Sequence, residues 1–92
     1  MERKYEVGAH IKYIDPHRKA HDALVLVWWM PDHVPSYAGP NGEPGCNLVL
    51  VDPDPEKEDS YGRQIRRETS MVHLNNNPGK GNCWCWPDEV PQ

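Results

Sequence analysis

The densest group of side chains able to do chemistry lies between Tyr61 and His73. Tyr61-Gly62-Arg63-Gln64 is followed by Arg66, Arg67, Thr69, Ser70 and His73. Each arginine offers a planar fork of donors matching a phosphate or carboxylate. Thr69, Ser70 and Gln64 add directional hydrogen bonds, Tyr61 offers a ring for stacking, and Gly62 lets a ligand approach the backbone closely. Together they make the inventory of a nucleotide or phosphate pocket. The plainer alternative is a solvated loop whose arginines pair with nearby acids, the usual fate of an exposed charge run.

Trp84 and Trp86 are the second candidate. Alternation puts both on one face of a strand, with Cys83 and Cys85 on the other. The pair is either a stacking platform for a ligand or part of the core. The chain has four tryptophans, four tyrosines and no phenylalanine, which favours the core. In Trp28-Trp29, neighbours must point to opposite faces, so one belongs inside and the other near a surface.

Three cysteines are present. Cys83, Cys85, Cys46 and a histidine could be assembled into a zinc site, but Cys-x-Cys is not the paired spacing of structural zinc. Buried free thiols acting as small apolar groups are expected instead, with no metal and no cofactor. Catalytic signatures are missing as well. Ser70 and His73 lie close in sequence, yet there is no nucleophile elbow, phosphate-binding glycine loop, zincin motif or dinucleotide fingerprint. A protein that binds without catalysing is the expectation, with no catalytic residue assigned.

Five short strands can position these groups. They run over Ala9–Ile14, Ala23–Met30, Cys46–Val51, a short strand or turn near Thr69–His73, and Cys83–Trp86. Ala23–Met30 is continuous, apolar and partly β-branched, so it reads as a central strand covered on much of both faces. Asp15-Pro16, Asp52-Pro53-Asp54-Pro55 and Pro87 end strands, since proline removes a ladder donor. Residues 31–45 hold four prolines and three glycines and read as a long irregular loop. Asn75 to Gly79 is a turn by its residue types. Short strands with long polar loops suit a small all-β barrel, which limits exposed edges. A five-stranded SH3-like barrel fits better than an oligonucleotide-binding barrel, for which a helix is missing. The expected organisation is one domain over residues 1–92, with a barrel core from about 8 to 87 and a flexible acidic tail at 88–92.

The net charge is −4, which argues against general nucleic-acid binding, since that needs a basic surface to displace counterions. Asp52, Asp54, Glu56, Glu58 and Asp59 form an acidic stretch just before the arginines. The charged first ten residues do not read as a signal peptide. The longest apolar run, Ala23–Met30, is too short to span a bilayer. An odd cysteine count suits a reducing cytoplasm.

Several short patterns carry a resemblance. Gly8-x-x-Ile11-x-Tyr13, Ala23-Leu24-Val25, Asn47-Leu48-Val49 and a closing Trp84-x-Trp86-Pro87 resemble those of a group of small tailed-phage proteins with SH3-like barrels. Tyr61-Gly62-Arg63-Gln64 and Thr69-Ser70-x-x-His73 are similar to a subset of them. Where that group has histidine between the closing tryptophans, this chain has Cys85. The resemblance implies phage origin and expression in the cytoplasm of an infected bacterial host. It also implies one of two roles: sequestering a small nucleotide-like host defence signal, or building and decorating the virion. Inhibition of a host protein through the acidic loop is a third reading. The sequestering role gives a ligand site of Tyr61, Arg63, Gln64, Arg67, Thr69, Ser70 and His73, with Trp84 or Trp86 stacking, in a homo-oligomer.

Overall fold

The computed structural model describes residues 5–29, 43–76 and 81–90. Most of the proline-rich segment 31–45 and part of the 75–79 turn lie outside the described residues.

The architecture is all-β. Among the described residues seven strands form: β1 His10–Ile14, β2 Ala20–Trp29, β3 Gly45–Val51, β4 Glu58–Asp59, β5 Gly62–Arg63, β6 Ile65–Met71 and β7 Cys83–Cys85. Five of them make one antiparallel sheet in the order β6-β3-β2-β1-β7, while β4 and β5 form a separate small hairpin. The sheet curls into a half-barrel. Its two end strands approach where the chain leaves β6: His73 bridges Trp84 in parallel, and the Trp84 backbone N–H donates to the Val72 carbonyl at 2.9 Å. A 3-10 turn, Leu74–Asn76, follows that bridge, and a second, Pro87–Glu89, follows β7.

The inner face of the curl carries the core. Ile11, Tyr13, Ala23, Val25, Trp28, Leu48, Leu50, Met71, Trp84 and Trp86 pack there. Aromatic edges meet faces across it, with Trp28 and Trp84 centroids 5.0 Å apart and Trp84 and Trp86 5.4 Å apart. Such edge-to-face pairs add to the burial of apolar area. Ile14, Cys83 and Cys85 form a smaller cluster on the opposite face, packed against Leu74 and Val90.

Three elements differ from the sequence expectation. First, β2 begins at Ala20, three residues before the start at Ala23 that the sequence suggests. Tight pairing of Ile14 with Ala20 and of Lys12 with Asp22 draws these polar residues into the ladder. Second, β6 occupies the charged stretch from Ile65. Alternation sends Arg66 and Glu68 inward, where they pair at 3.2 Å, and leaves Ile65 and Arg67 outside. Third, β2 is covered on one face only: Leu24, Leu26 and Val27 are 49%, 41% and 38% exposed.

The acidic end is docked as far as it is described. Glu89 Oε1 accepts the Trp86 backbone N–H at 2.8 Å and the His73 Nε2–H at 3.0 Å, so Asp88–Val90 are folded back where a free tail was expected. Residues 91 and 92 lie outside the described residues.

Candidate functional site

The register of β3 and β6 builds the best-formed candidate. Cys46 pairs with Met71 and Leu48 with Glu68, so Thr69 and Ser70 together oppose Asn47. That two-against-one arrangement is a β-bulge, a device that re-aims side chains and recurs beside binding sites. Ser70 sits in the left-handed region with φ 56°, a conformation that costs a non-glycine residue free energy and concentrates at functional sites. One side chain stabilises it. Asn47 Oδ1 accepts the Ser70 backbone N–H at 2.9 Å and the Trp29 indole N–H at 3.2 Å.

Trp29 is 43% exposed, while its neighbour Trp28 is in the core, as alternation requires. Among the described residues, Trp29, Gly45, Ser70 and Val72 line a pocket of about 420 Å³. Gly45 stands opposite Trp29 in the ladder and adds no side chain to the space. The pocket therefore offers an indole, an apolar floor and a serine at a fixed bulge. Small-ligand sites have this composition: apolar walls with few convergent polar groups.

The expected ligand residues do not converge on one place. Ser70 lines this pocket, and Thr69 is beside it in the bulge. Arg67 lies on the outer sheet face opposite Val49. Arg63 lines a separate pocket of about 370 Å³ with Ala20, His21, Asp22, Val51, Asp52 and Pro53, and its Nη1 donates to the Asp52 carbonyl at 2.9 Å. Gln64 is exposed in the link between β5 and β6, and Tyr61 stands 98% exposed at the hairpin tip. Trp84 is fully buried, and Trp86 is 7% exposed. With no phenylalanine in the chain, the indoles fill the volume that the curl encloses, and neither offers an open ring face.

His73 is also enclosed. Its Nδ1 accepts the Asn75 backbone N–H at 3.1 Å, which places the proton on Nε2, the atom facing Glu89. Its ring meets the Trp84 indole edge-on at 4.7 Å, and Glu43 Oε2 is 3.8 Å from Nδ1. This imidazole joins the bridge after β6, the turn before β7 and the turn after it.

Sequence reasoning missed a second cluster. Asp15 Oδ2 accepts from His21 Nε2 at 2.7 Å, and Asp15 Oδ1 accepts the His17 and Lys19 backbone N–H groups. Burial pushes the Asp15 carboxyl up. The hydrogen bonds from His21, Lys19 and His17 outweigh it, so the group titrates below its ordinary value. His21 lines the Arg63 pocket, and its Nδ1 makes no hydrogen bond among the described residues. The only sequence signal was an aspartate at one end of a tight connection and a histidine just beyond the other.

All three cysteines are free and buried. Burial pushes the Cys46 and Cys85 thiols up to about 12 and Cys83 to about 11. A thiol so shifted stays protonated and is a poor nucleophile or metal ligand. No group of three or more potential metal ligands exists among the described residues, and no helix there is long and apolar enough to cross a membrane. No family model matches the chain, and neither a curated protein nor a solved structure matches it.

Proposed function

We propose that this chain is a binding protein of the small tailed-phage type that captures a nucleotide-like host defence signal in the bacterial cytoplasm. The ligand's base stacks on Trp29. The observation that carries this reading is the double hold of Asn47 on the Trp29 indole and the strained Ser70 backbone. A pocket whose ring and polar group are fixed before binding loses little entropy when a ligand enters. Stacking a base on an aromatic side chain contributes about 1–3 kcal/mol. Strand order supports an SH3-like barrel for the scaffold. The five-stranded sheet has its first and last strands adjacent, and a 3-10 turn lies between β6 and β7.

The test is thermal melting against a panel of cyclic and linear nucleotides, followed by recovery of the ligand from heated protein. A ligand that binds only the folded state raises the melting temperature by mass action. One nucleotide should raise it clearly, quench tryptophan fluorescence and be released with unchanged mass. Trp29→Ala should abolish the shift while leaving the unliganded melt nearly in place, because Trp29 is a surface residue. No shift across the panel, or a shift indifferent to Trp29→Ala, rejects the reading.

A second reading, turnover of the ligand, is favoured by the Asp15–His21 pair. A carboxylate that fixes one imidazole nitrogen and leaves the other as an acceptor is the arrangement of a general base. Recovery of a chemically altered nucleotide, lost in His21→Ala, would establish it.

A further inference from the structure

The outer face of the sheet has a pattern that no small-molecule pocket explains. Its rows follow from the register. Ile65, Val51, Asp22 and Lys12 lie side by side across four strands, and Arg67, Val49, Leu24 and His10 form the next row. Leu26 and Val27 lie beyond Leu24 on β2. The apolar members form a diagonal, Ile65–Val51–Val49–Leu24–Leu26, rather than filling the face. Ile65 is 67% exposed and Val51 58%. A shallow groove of about 260 Å³ runs among His10, Asp22, Leu24, Val49, Val51 and Ile65. A contiguous apolar strip with polar margins marks an interaction surface.

The margins identify the partner. On one side of the diagonal is Arg67, whose side chain makes no ion pair or hydrogen bond among the described residues. On the other is Asp22, whose side chain is 72% exposed. Its Oδ1 is taken by Lys12 at 2.6 Å and His10 at 2.7 Å. The Lys12 and His10 hydrogen bonds hold the Asp22 carboxyl below its ordinary value, and Oδ2 has no partner among the described residues. With strands about 4.8 Å apart and alternate residues about 6.7 Å apart, Arg67 and Asp22 flank the diagonal at similar distances and similar heights along it. A two-fold axis laid along the diagonal therefore stacks each apolar strip on its copy and sets each Arg67 against the partner's Asp22. The face is self-complementary, as a two-fold interface must be.

We infer that this face joins two copies of the chain into a homodimer, packed sheet on sheet, with Arg67–Asp22 ion pairs on both sides of the shared apolar strip. The Trp29 pocket is lined by Trp29, Gly45, Ser70 and Val72, none of which belongs to the strip, so dimer formation and ligand capture are tested separately.

Sedimentation velocity over a concentration series tests this on the full chain. The unaltered protein should sediment as a dimer at micromolar concentration. Val51→Asp with Ile65→Asp should give a monomer with an unchanged near-ultraviolet spectrum, since both side chains are at the surface. Arg67→Asp and Asp22→Arg should each raise the dimer dissociation constant at least about thirtyfold, in line with leaving an interfacial charge unpaired. The double variant, with the charges exchanged, should recover most of the affinity. A monomer at every concentration overturns the inference. A dimer unaffected by the apolar substitutions, or single charge variants that the exchange does not rescue, also overturns it, because another surface or another occupant then uses the face. Nucleotide melting shifts are read independently, so failure here leaves the Trp29 reading standing, and the reverse also holds.

Discussion

At the scale of single residues, the cysteines have the most direct consequence for behaviour in solution. Their thiols titrate at about 11 to 12 in the folded protein, against an ordinary value of 9.0. Above pH 9 the unfolded chain loses these protons while the folded chain keeps them. The unfolded state then binds fewer protons, and stability falls as pH rises. Each thiol adds to that loss between its unfolded and folded values. Urea unfolding at pH 8, 9.5 and 10.5 should show a progressive fall that replacing the cysteines by alanine flattens. At pH 8 an aromatic disulfide reagent should label none of the thiols until urea is added. Constant stability across this range, or rapid labelling of the folded protein, would contradict the burial. The alternation Cys-Trp-Cys-Trp made the two faces of β7 legible in the sequence. The absence of phenylalanine made the indole face the inner one. The partners of His73 were not legible, because Glu43, just before β3, and Glu89, in the turn after β7, lie far from it along the chain.

At the scale of elements, strand ends were well marked by Asp-Pro and Pro-Asp pairs, and β1, β3 and β7 lie within a residue of where the sequence placed them. β6 was the poorest reading. Its charged residues suggested a solvated loop, yet on an edge strand Arg66 can pair with Glu68 and lie 5.8 Å over the Tyr13 ring while Arg67 faces water. The bulge at Thr69 and Ser70 was invisible, because register is a property of two strands and no single stretch encodes it. It makes a sharp prediction. Ser70→Gly should hold or slightly raise the melting temperature, since glycine adopts a φ of 56° without strain. Ser70→Val should lower stability by about 1–3 kcal/mol, since a β-branched residue is disfavoured there. Both are read by urea titration. Equal effects of the two substitutions would mean that the backbone at this position is not left-handed. The candidate site was legible only in part for the same reason. Ser70 and the surface position of one of Trp28 and Trp29 were foreseen, but Asn47, which ties them together, becomes visible only with the pairing.

At the scale of the whole molecule, the sheet is closed by a narrow link between β7 and the end of β6. Trp84 is central to it. Its backbone bonds to Val72, its indole N–H donates to the Pro44 carbonyl at 3.0 Å, and its ring contacts Trp28, Trp86 and His73. Trp84→Ala should cost about 3–5 kcal/mol, a large share of the roughly 5–15 kcal/mol that stabilises a domain. The expected result is loss of the near-ultraviolet signal, or a markedly lower denaturation midpoint. A loss under about 1 kcal/mol would show that the barrel closes without this residue. The SH3-like expectation from sequence rested on strand number and loop length. The observed order β6-β3-β2-β1-β7 of the half-barrel sheet could come only from pairing between distant segments.

The adjacency of β1 and β7 also bears on how the protein is made. Tyr13 Oη donates to Asn82, 69 positions further along the chain, and Trp84 stands opposite Tyr13 in the ladder. A nascent chain that has not yet released Trp84 from the ribosome has β1, β2 and β3 in hand but cannot seal the inner face. Trp28, Tyr13 and Leu48 stay wet until then. The inner face therefore cannot close before the segment up to Trp86 is available.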